Sequence, residues 1–371
     1  MNRNTKILTI VIVVVAVCAI AFFGIRNQMK QHSGDDKNVI KIGAILPLTG
    51  DMSEEGQKGL AAIKLAIEKQ NKQNQNKKYK LLVEDGKFTG KDSLLAYKKM
   101  MNEAPKGIIS YGTPPTQAIM NDAVKDGVPL LALDGTAGLS ASGKNIFECW
   151  TPFHDVGEAA GKLASKLSSK GKKALLAMNV SGGIDFEKGF LQTAENCVLI
   201  EKYDQNATDA RGLIAKVLAA NPEVICVFGF NTGHTTVLRQ LLESDYSGIL
   251  VTDSNITHKI DILPQSEKIK IYFVSQAFGD YNPKTKEFIS EVEKDYGITP
   301  TVFSAHLYEM ARILMACTPD NSVSYEEIAE SISKEKDFDS ILGNLSFVPP
   351  GDIHLPFINL SVENKQIKVF Q

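Results

Sequence analysis

The chain has 371 residues, more than one ordinary hydrophobic core absorbs, so two domains are the default expectation. Lysine and arginine number 41 against 43 acidic residues, and the formal charge of -2 supplies no basic field to attract nucleic acid. Hydrophobic residues at 43% and charged residues at 23% are the proportions of a folded protein, which argues against extended disorder.

The first element is apolar from Ile7 to Ile25, long enough as a helix (about 28 Å) to cross a bilayer. Arg3 and Lys6 precede it and Arg26 and Lys30 follow, so flanking charge does not fix its orientation. Residues 1–30 read as an uncleaved membrane anchor, with a cleaved signal as the alternative; Cys18 follows Val17, a poor residue for a lipoprotein cleavage box. Residues 31–38 form a polar linker, and the remainder is expected on the extracytoplasmic side.

Val39–Asn71 then gives a buried-strand run, a Pro47-Leu48-Thr49-Gly50 turn, and a helix that places Leu60, Ile63 and Ile67 on one face. The turn lies at the carboxyl end of the strand, where helix-start amides suit a small anionic group. Further strands are expected at Lys80–Glu84, Gly107–Tyr111, Pro129–Leu133, Lys173–Met178, Val198–Lys202, Val224–Phe228, Gly248–Thr252 and Ile271–Ser275. Helical patterns fill most intervals, among them Asp155–Ser169 and Ala207–Ala220. This alternation predicts parallel sheets covered on both faces. Helices at Lys284–Tyr296, Thr301–Cys317 and Ser324–Lys334 follow, the last opened by the capping box Ser324-x-x-Glu327. Short strands at Asn344–Val348, Pro356–Val362 and Gln366–Phe370 are too short for a core of their own and are expected to complete an existing sheet.

Ligands of open parallel sheets bind beyond the carboxyl ends of the strands. Those positions hold Thr49, Gly50 and Glu55, then Tyr111 and Thr113, then Asp134 and Thr136, and in the second half Phe186, Phe230, Asp253 and Ser254. Hydroxyls and amides of this kind suit the carboxylate of a zwitterion, and an acid suits its ammonium. No G-x-S-x-G elbow, phosphate loop or dinucleotide fingerprint occurs, so neither catalysis nor a cofactor is expected. The six histidines are scattered and no C-x-x-C occurs, which gives a metal site no support. Beyond Cys18, four cysteines allow three pairings; Cys226 lies in a buried-strand pattern and reads as a packed thiol.

In this order and spacing, Ile42-Gly43, Pro47-Leu48-Thr49-Gly50, Gly56, Glu84-Asp85, Gly127-Val128-Pro129 and Gly343-x-x-x-Phe347-x-x-x-Gly351-Asp352 make the chain from Val39 to Phe370 resemble a type I periplasmic solute-binding protein of the branched-chain amino acid transport family. The resemblance implies two doubly wound α/β lobes joined by three hinge crossings, with 39–150 and 281–339 in the first and 151–280 and 340–371 in the second. It implies a ligand between the lobes that is passed to ABC-transporter permease subunits. Thr113 and Thr136 match family positions that contact the ligand carboxylate or ligand, and Asp253, or Ser254 on a one-residue slip, matches the acid that holds the ammonium. Phe186 and Phe230 stand where tyrosines are common, Glu55 where an aromatic is common, and Asp134 where a small residue is common.

Each position has a plainer reading. Thr113 and Thr136 could cap helices, Asp253 could close an Asx turn, the two phenylalanines could be core, and Glu55 could be a solvated helix-start charge. The expected function is a non-catalytic receptor for an amino acid or related amine-bearing solute. The alternative is a membrane-anchored sensing ectodomain that signals to a partner protein.

Overall fold

The computed structural model describes residues 38–370 apart from 51, 75, 76, 137, 261, 280 and 281. The expected anchor at 7–25, Cys18 and all but the last residue of the linker lie outside the described residues. No helix among the described residues is long and apolar enough to cross a membrane.

The first lobe begins with β1 (Val39–Leu46), α1 (Ser53–Gln73), β2 (Lys78–Asp85), α2 (Gly90–Met101), β3 (Ile108–Tyr111), α3 (Thr113–Asp126), β4 (Leu130–Leu133) and β5 (Ile146–Glu148). The second contains α4 (Phe153–Leu167), β6 (Lys173–Met178), α5 (Ser181–Thr193), β7 (Cys197–Tyr203), α6 (Arg211–Ala219), β8 (Val224–Phe228), α7 (Asn231–Leu242), β9 (Ile249–Asp253) and β10 (Lys270–Ser275). Then come α8 (Pro283–Tyr296), α9 (Val302–Ala316), α10 (Tyr325–Ser333), β11 (Phe338–Ser340), β12 (Gly343–Val348), β13 (Asp352–His354), β14 (Ile358–Glu363) and β15 (Gln366–Val369).

The strands form two sheets, ordered β11-β12-β13-β5-β4-β3-β1-β2 and β15-β14-β10-β9-β8-β6-β7. Their centres are parallel, but β11, β12, β14 and β15 pair antiparallel, so the sheets are mixed rather than purely parallel as expected. Central strands are mostly apolar because helices cover both faces: β3, β4, β6 and β8 are wholly buried, with Ser110 and Lys173 the polar residues among them. On α1, Ile63 and Ile67 are buried as the spacing predicts, while Leu60 is half-buried at the edge of the same core.

The chain passes between the sheets three times, at 149–152, 276–282 and 355–357. Thr151 and Gln276, both buried, link two of these crossings by a side-chain hydrogen bond of 3.0 Å.

Several expectations need correction. Residues 340–354 belong to the first lobe, not the second, because β12 turns back through β13, whose Asp352 pairs with Glu148 of β5. Strands β5, β11 and β13 have three residues each, too few for a periodic signal, and were not expected. The helix expected from Ala207 starts at Arg211, because the Ala210 amide donates to the Gln240 side chain at 2.7 Å and the Asp209 carboxylate takes the Arg211 amide. The Ser324/Glu327 capping box forms as read. Among the described residues no disulfide joins Cys149, Cys197, Cys226 and Cys317, and Cys226 is packed inside β8.

Candidate functional site

The strand ends of both lobes meet at the cleft, and in each lobe the polar groups there are organised around the protein's own carboxylates. The β1–α1 turn does hold an anion: Asp85 at the end of β2 accepts from the amides of Leu48 (2.9 Å) and Lys87 (2.9 Å) and from the Thr49 hydroxyl (2.6 Å). Burial pushes this carboxyl up, but the Thr49 hydroxyl and the amides outweigh it and hold the group below the usual range. Thr49 is thereby committed to Asp85.

The loop after β4 repeats the pattern more deeply. One oxygen of Asp134, Oδ1, accepts from the Thr113 hydroxyl (2.7 Å), the Thr136 amide (2.9 Å) and the Thr136 hydroxyl (2.8 Å). Asp134 is 2% exposed, and its Oδ2 has no partner among the described residues. The two threonines expected to cap helices or meet ligand therefore position an aspartate. Glu148, at the end of β5 and fully buried, has no partner on either oxygen. Burial first, then the charges of Asp352 and Asp134, push its carboxyl up to about 9.

At the start of α1, Glu55 accepts from the Thr301 hydroxyl at 2.9 Å and pairs with Lys58 at 3.0 Å. Its charge also bears on Tyr111, whose phenol is raised by burial foremost and by Glu55 second. In the second lobe Asp253 caps the 3-10 turn Ser254–His258, accepting from the Asn255 amide at 2.7 Å, with the Gly229 amide at 3.4 Å. Burial raises its carboxyl to about 6 against the opposing Asn255 amide and Lys259 ammonium. Lys259 in turn meets His234 Nδ1 at 2.9 Å; burial lowers both, leaving the enclosed imidazole neutral.

Aromatic rings join the two walls. Phe88 and Phe303 flank Tyr111 edge-on at 6.2 and 6.4 Å, and Phe303 stacks on Trp150 at 4.8 Å. Just past the first crossing, Phe153 lies edge-on to Phe228 (5.5 Å) and stacks on Phe230 (6.2 Å). It also reaches both lobes' loops: a Cβ on Gly135 would fall 2.9 Å from Trp150 and 3.0 Å from Phe153, and one on Gly182 would fall 2.7 Å from Phe153. Glycine at these two positions is what admits the rings. Phe88, Phe153, Phe230 and Phe303 are all half-buried, so their faces are available.

Of the expected positions, Tyr111, Phe230, Asp134 and the two threonines belong to this region. Phe186 does not reach the cleft surface: it is wholly buried and stacks on Phe228 at 4.1 Å in the second lobe's core. Ser254 lines an inter-lobe cavity of ≈ 790 Å³ with Glu54, Lys58, Thr257, Phe278 and Thr301. Trp150, Phe153, Phe303 and Glu148 were not anticipated. The cluster Trp150-Thr151-Pro152-Phe153 carried a signal, since it holds the sole tryptophan of the chain. His154, Asp155 and Glu158 bring three potential metal ligands within 4.8 Å, but His154 meets Asp155 and Lys162 pairs with Glu158.

The structure thus has two lobes, with carboxylates at the strand ends and aromatic rings near the first crossing. Residues 39–354 match the family described as periplasmic binding protein. The chain belongs to that family. It is 21% identical over 328 residues to the Leu/Ile/Val-binding protein homolog 7 of Brucella suis biovar 1, covering 81% of this chain and 78% of that one. Its fold superposes with a TM-score of 0.75 on the branched-chain amino acid transporter substrate-binding protein LivJ of Streptococcus pneumoniae, solved in complex with isoleucine, at 19% identity over 89% of this chain and 98% of that one. A solute-binding protein of an ABC transporter from Rhodopseudomonas palustris BisB5, in complex with 3,4-dihydroxybenzoic acid, gives 0.72 at 18% identity over 89% and 95%.

Proposed function

We propose that this periplasmic binding protein is the solute-binding component of an ABC transporter, closing its lobes on a small amine-bearing solute, an amino acid or derivative, without chemical turnover. The observation that carries this reading is that Trp150 and Phe153, which lead into the ring clusters of the two lobes, both lie against Gly135, next to the buried carboxylate of Asp134. Closure excludes water, so a charge-assisted hydrogen bond inside the cleft gains strength over the same bond in solution. The names of its relatives support the class of function: they include binders of an aliphatic amino acid and of an aromatic acid, so one fold serves chemically different solutes. The permease subunits would take the loaded protein at the membrane to which residues 7–25 would tether it. Tyr111 and Phe230 are assigned here to ring contacts, Thr113 and Thr136 to holding Asp134, and Glu55, Thr49 and Asp253 to shaping the walls around them.

A thermal-shift screen of the purified full-length protein against amino acids, their amides, amines and small carboxylates tests the reading. A solute at a hundred times its dissociation constant stabilises the folded state by about 2.7 kcal/mol. A clear rise in melting temperature with one chemical class is expected; no rise with any solute contradicts a solute-binding role.

A further inference from the structure

Resting on that reading, we propose that the first lobe receives the solute's cation and not its carboxylate, with Asp134 as the residue that selects an organic amine carrying an aromatic or similarly flat body. The donors that meet Asp134 are already used. Two threonine hydroxyls and one amide, the groups that could grip a carboxylate, converge within 2.9 Å on a single oxygen of Asp134. A second carboxylate brought to the same spot would meet a like charge with no free donor between them, which costs free energy at any distance inside a dry cleft.

The other oxygen of Asp134 is the open valence. It is buried and unpartnered, and no salt bridge to Asp134 or Glu148 occurs among the described residues. A buried carboxylate oxygen without a hydrogen bond carries a desolvation cost that a donor removes. Glu148 on the neighbouring strand end is buried too, but with its carboxyl raised to about 9 it is neutral at pH 7, so of the two Asp134 is the one that calls for a cation. The other carboxylates of the cleft rim differ in this respect. Glu55 has Lys58, Asp253 has Lys259 nearby, and Asp85 has a full set of donors.

The surroundings fit the same occupant. The loop that carries Asp134 continues into Gly135, against which the rings of Trp150 and Phe153 lie, and Phe230 stacks beyond Phe153. Aromatic faces attract an ammonium through their quadrupole and stack on a flat apolar body. An unpartnered carboxylate oxygen with ring faces beside its loop selects a cation.

Three probes that share one ring separate the possibilities: phenethylamine carries only the ammonium, 3-phenylpropanoate only the carboxylate, and phenylalanine both. Binding to the purified full-length protein is followed by thermal shift and titration calorimetry, with calcium chloride alone as the inorganic control. Phenethylamine is expected to bind at least as tightly as phenylalanine, 3-phenylpropanoate not to bind, and Asp134→Asn to weaken phenethylamine more than tenfold. The wild-type order of the three probes decides the matter even if that variant does not fold. Tighter binding of 3-phenylpropanoate than of phenethylamine, unchanged amine affinity in Asp134→Asn, or stabilisation by calcium with none by the amine overturns the assignment and leaves the solute-binding reading standing. Binding of none of the probes overturns this assignment; silence across the whole solute screen overturns the solute-binding reading as well.

Discussion

Asp134 and Asp253 occupy equivalent stations, each buried at the carboxyl end of a central strand and each engaged by the loop that follows, yet they are finished differently. Asp253 has a donor on one oxygen, a more distant amide on the other and a lysine within electrostatic reach, so its charge is balanced inside the protein. Asp134 has three donors on one oxygen, none on the other, and no internal cation. A carboxylate with its own counter-charge is part of the fold. One that lacks it is waiting for something to bring the charge.

The largest effect that would sharpen this contrast is on binding. Asp134→Asn should weaken an amine more than tenfold, whereas Asp253→Ala should leave amine affinity within about threefold and instead cost about 1–3 kcal/mol of stability, because it orphans the Asn255 amide. Chemical denaturation and calorimetry of both variants check this; loss of binding in Asp253→Ala with stability intact would reverse the two roles. Phe153→Ala, which removes the ring shared between the lobes, should lower amine affinity roughly tenfold by the loss of stacking and cation–ring attraction. An unchanged titration would place the solute elsewhere in the cleft.

Stability against pH comes next. Glu148 is raised to about 9 in the folded state from an ordinary 4.5, so its contribution is present in full below about pH 4.5 and is lost as pH rises toward 9. Glu309, raised to about 7 chiefly by burial, acts in the same direction. The wild-type melting temperature should therefore fall from pH 5 to pH 9, and Glu148→Gln should gain on it progressively over that range. A constant gap between the two would count against a buried, unpaired carboxyl at this position. The smallest effect is expected at Asp85, whose lowered carboxyl contributes at neutral pH and is lost as pH falls below about 3.8. Asp85→Asn should cost about 1 kcal/mol at pH 7 and leave amine binding intact, as measured by urea unfolding and calorimetry.

Much of the architecture was legible because it rests on long periodic segments. The β1–α1 unit, the strand at Lys173–Met178 and the Ser324 cap are found where pattern and capping chemistry put them. What escaped was set by distant partners. Strand β13 hairpins onto β12, but what docks that hairpin onto the first sheet is Asp352 meeting Glu148 some two hundred residues earlier, and no local pattern encodes that pairing. The same holds at the site. Thr113 and Asp134 were both singled out, yet that one holds the other depends on two loops meeting across a parallel strand pair. Phe186 misled because alternation places a ring at a strand end without saying which side of the helix it turns to; here it turns into the core. Trp150, Phe153 and Phe303 come from a hinge crossing and a late helix, and only folding assembles them.

The most direct measurement is calorimetric titration of 3-phenylpropanoate into the wild type and into Asp134→Ala, which removes the internal carboxylate and frees the Thr113 and Thr136 donors. No binding to the wild type and measurable binding to the variant is the predicted result. Binding to the wild type that is lost in the variant would contradict it.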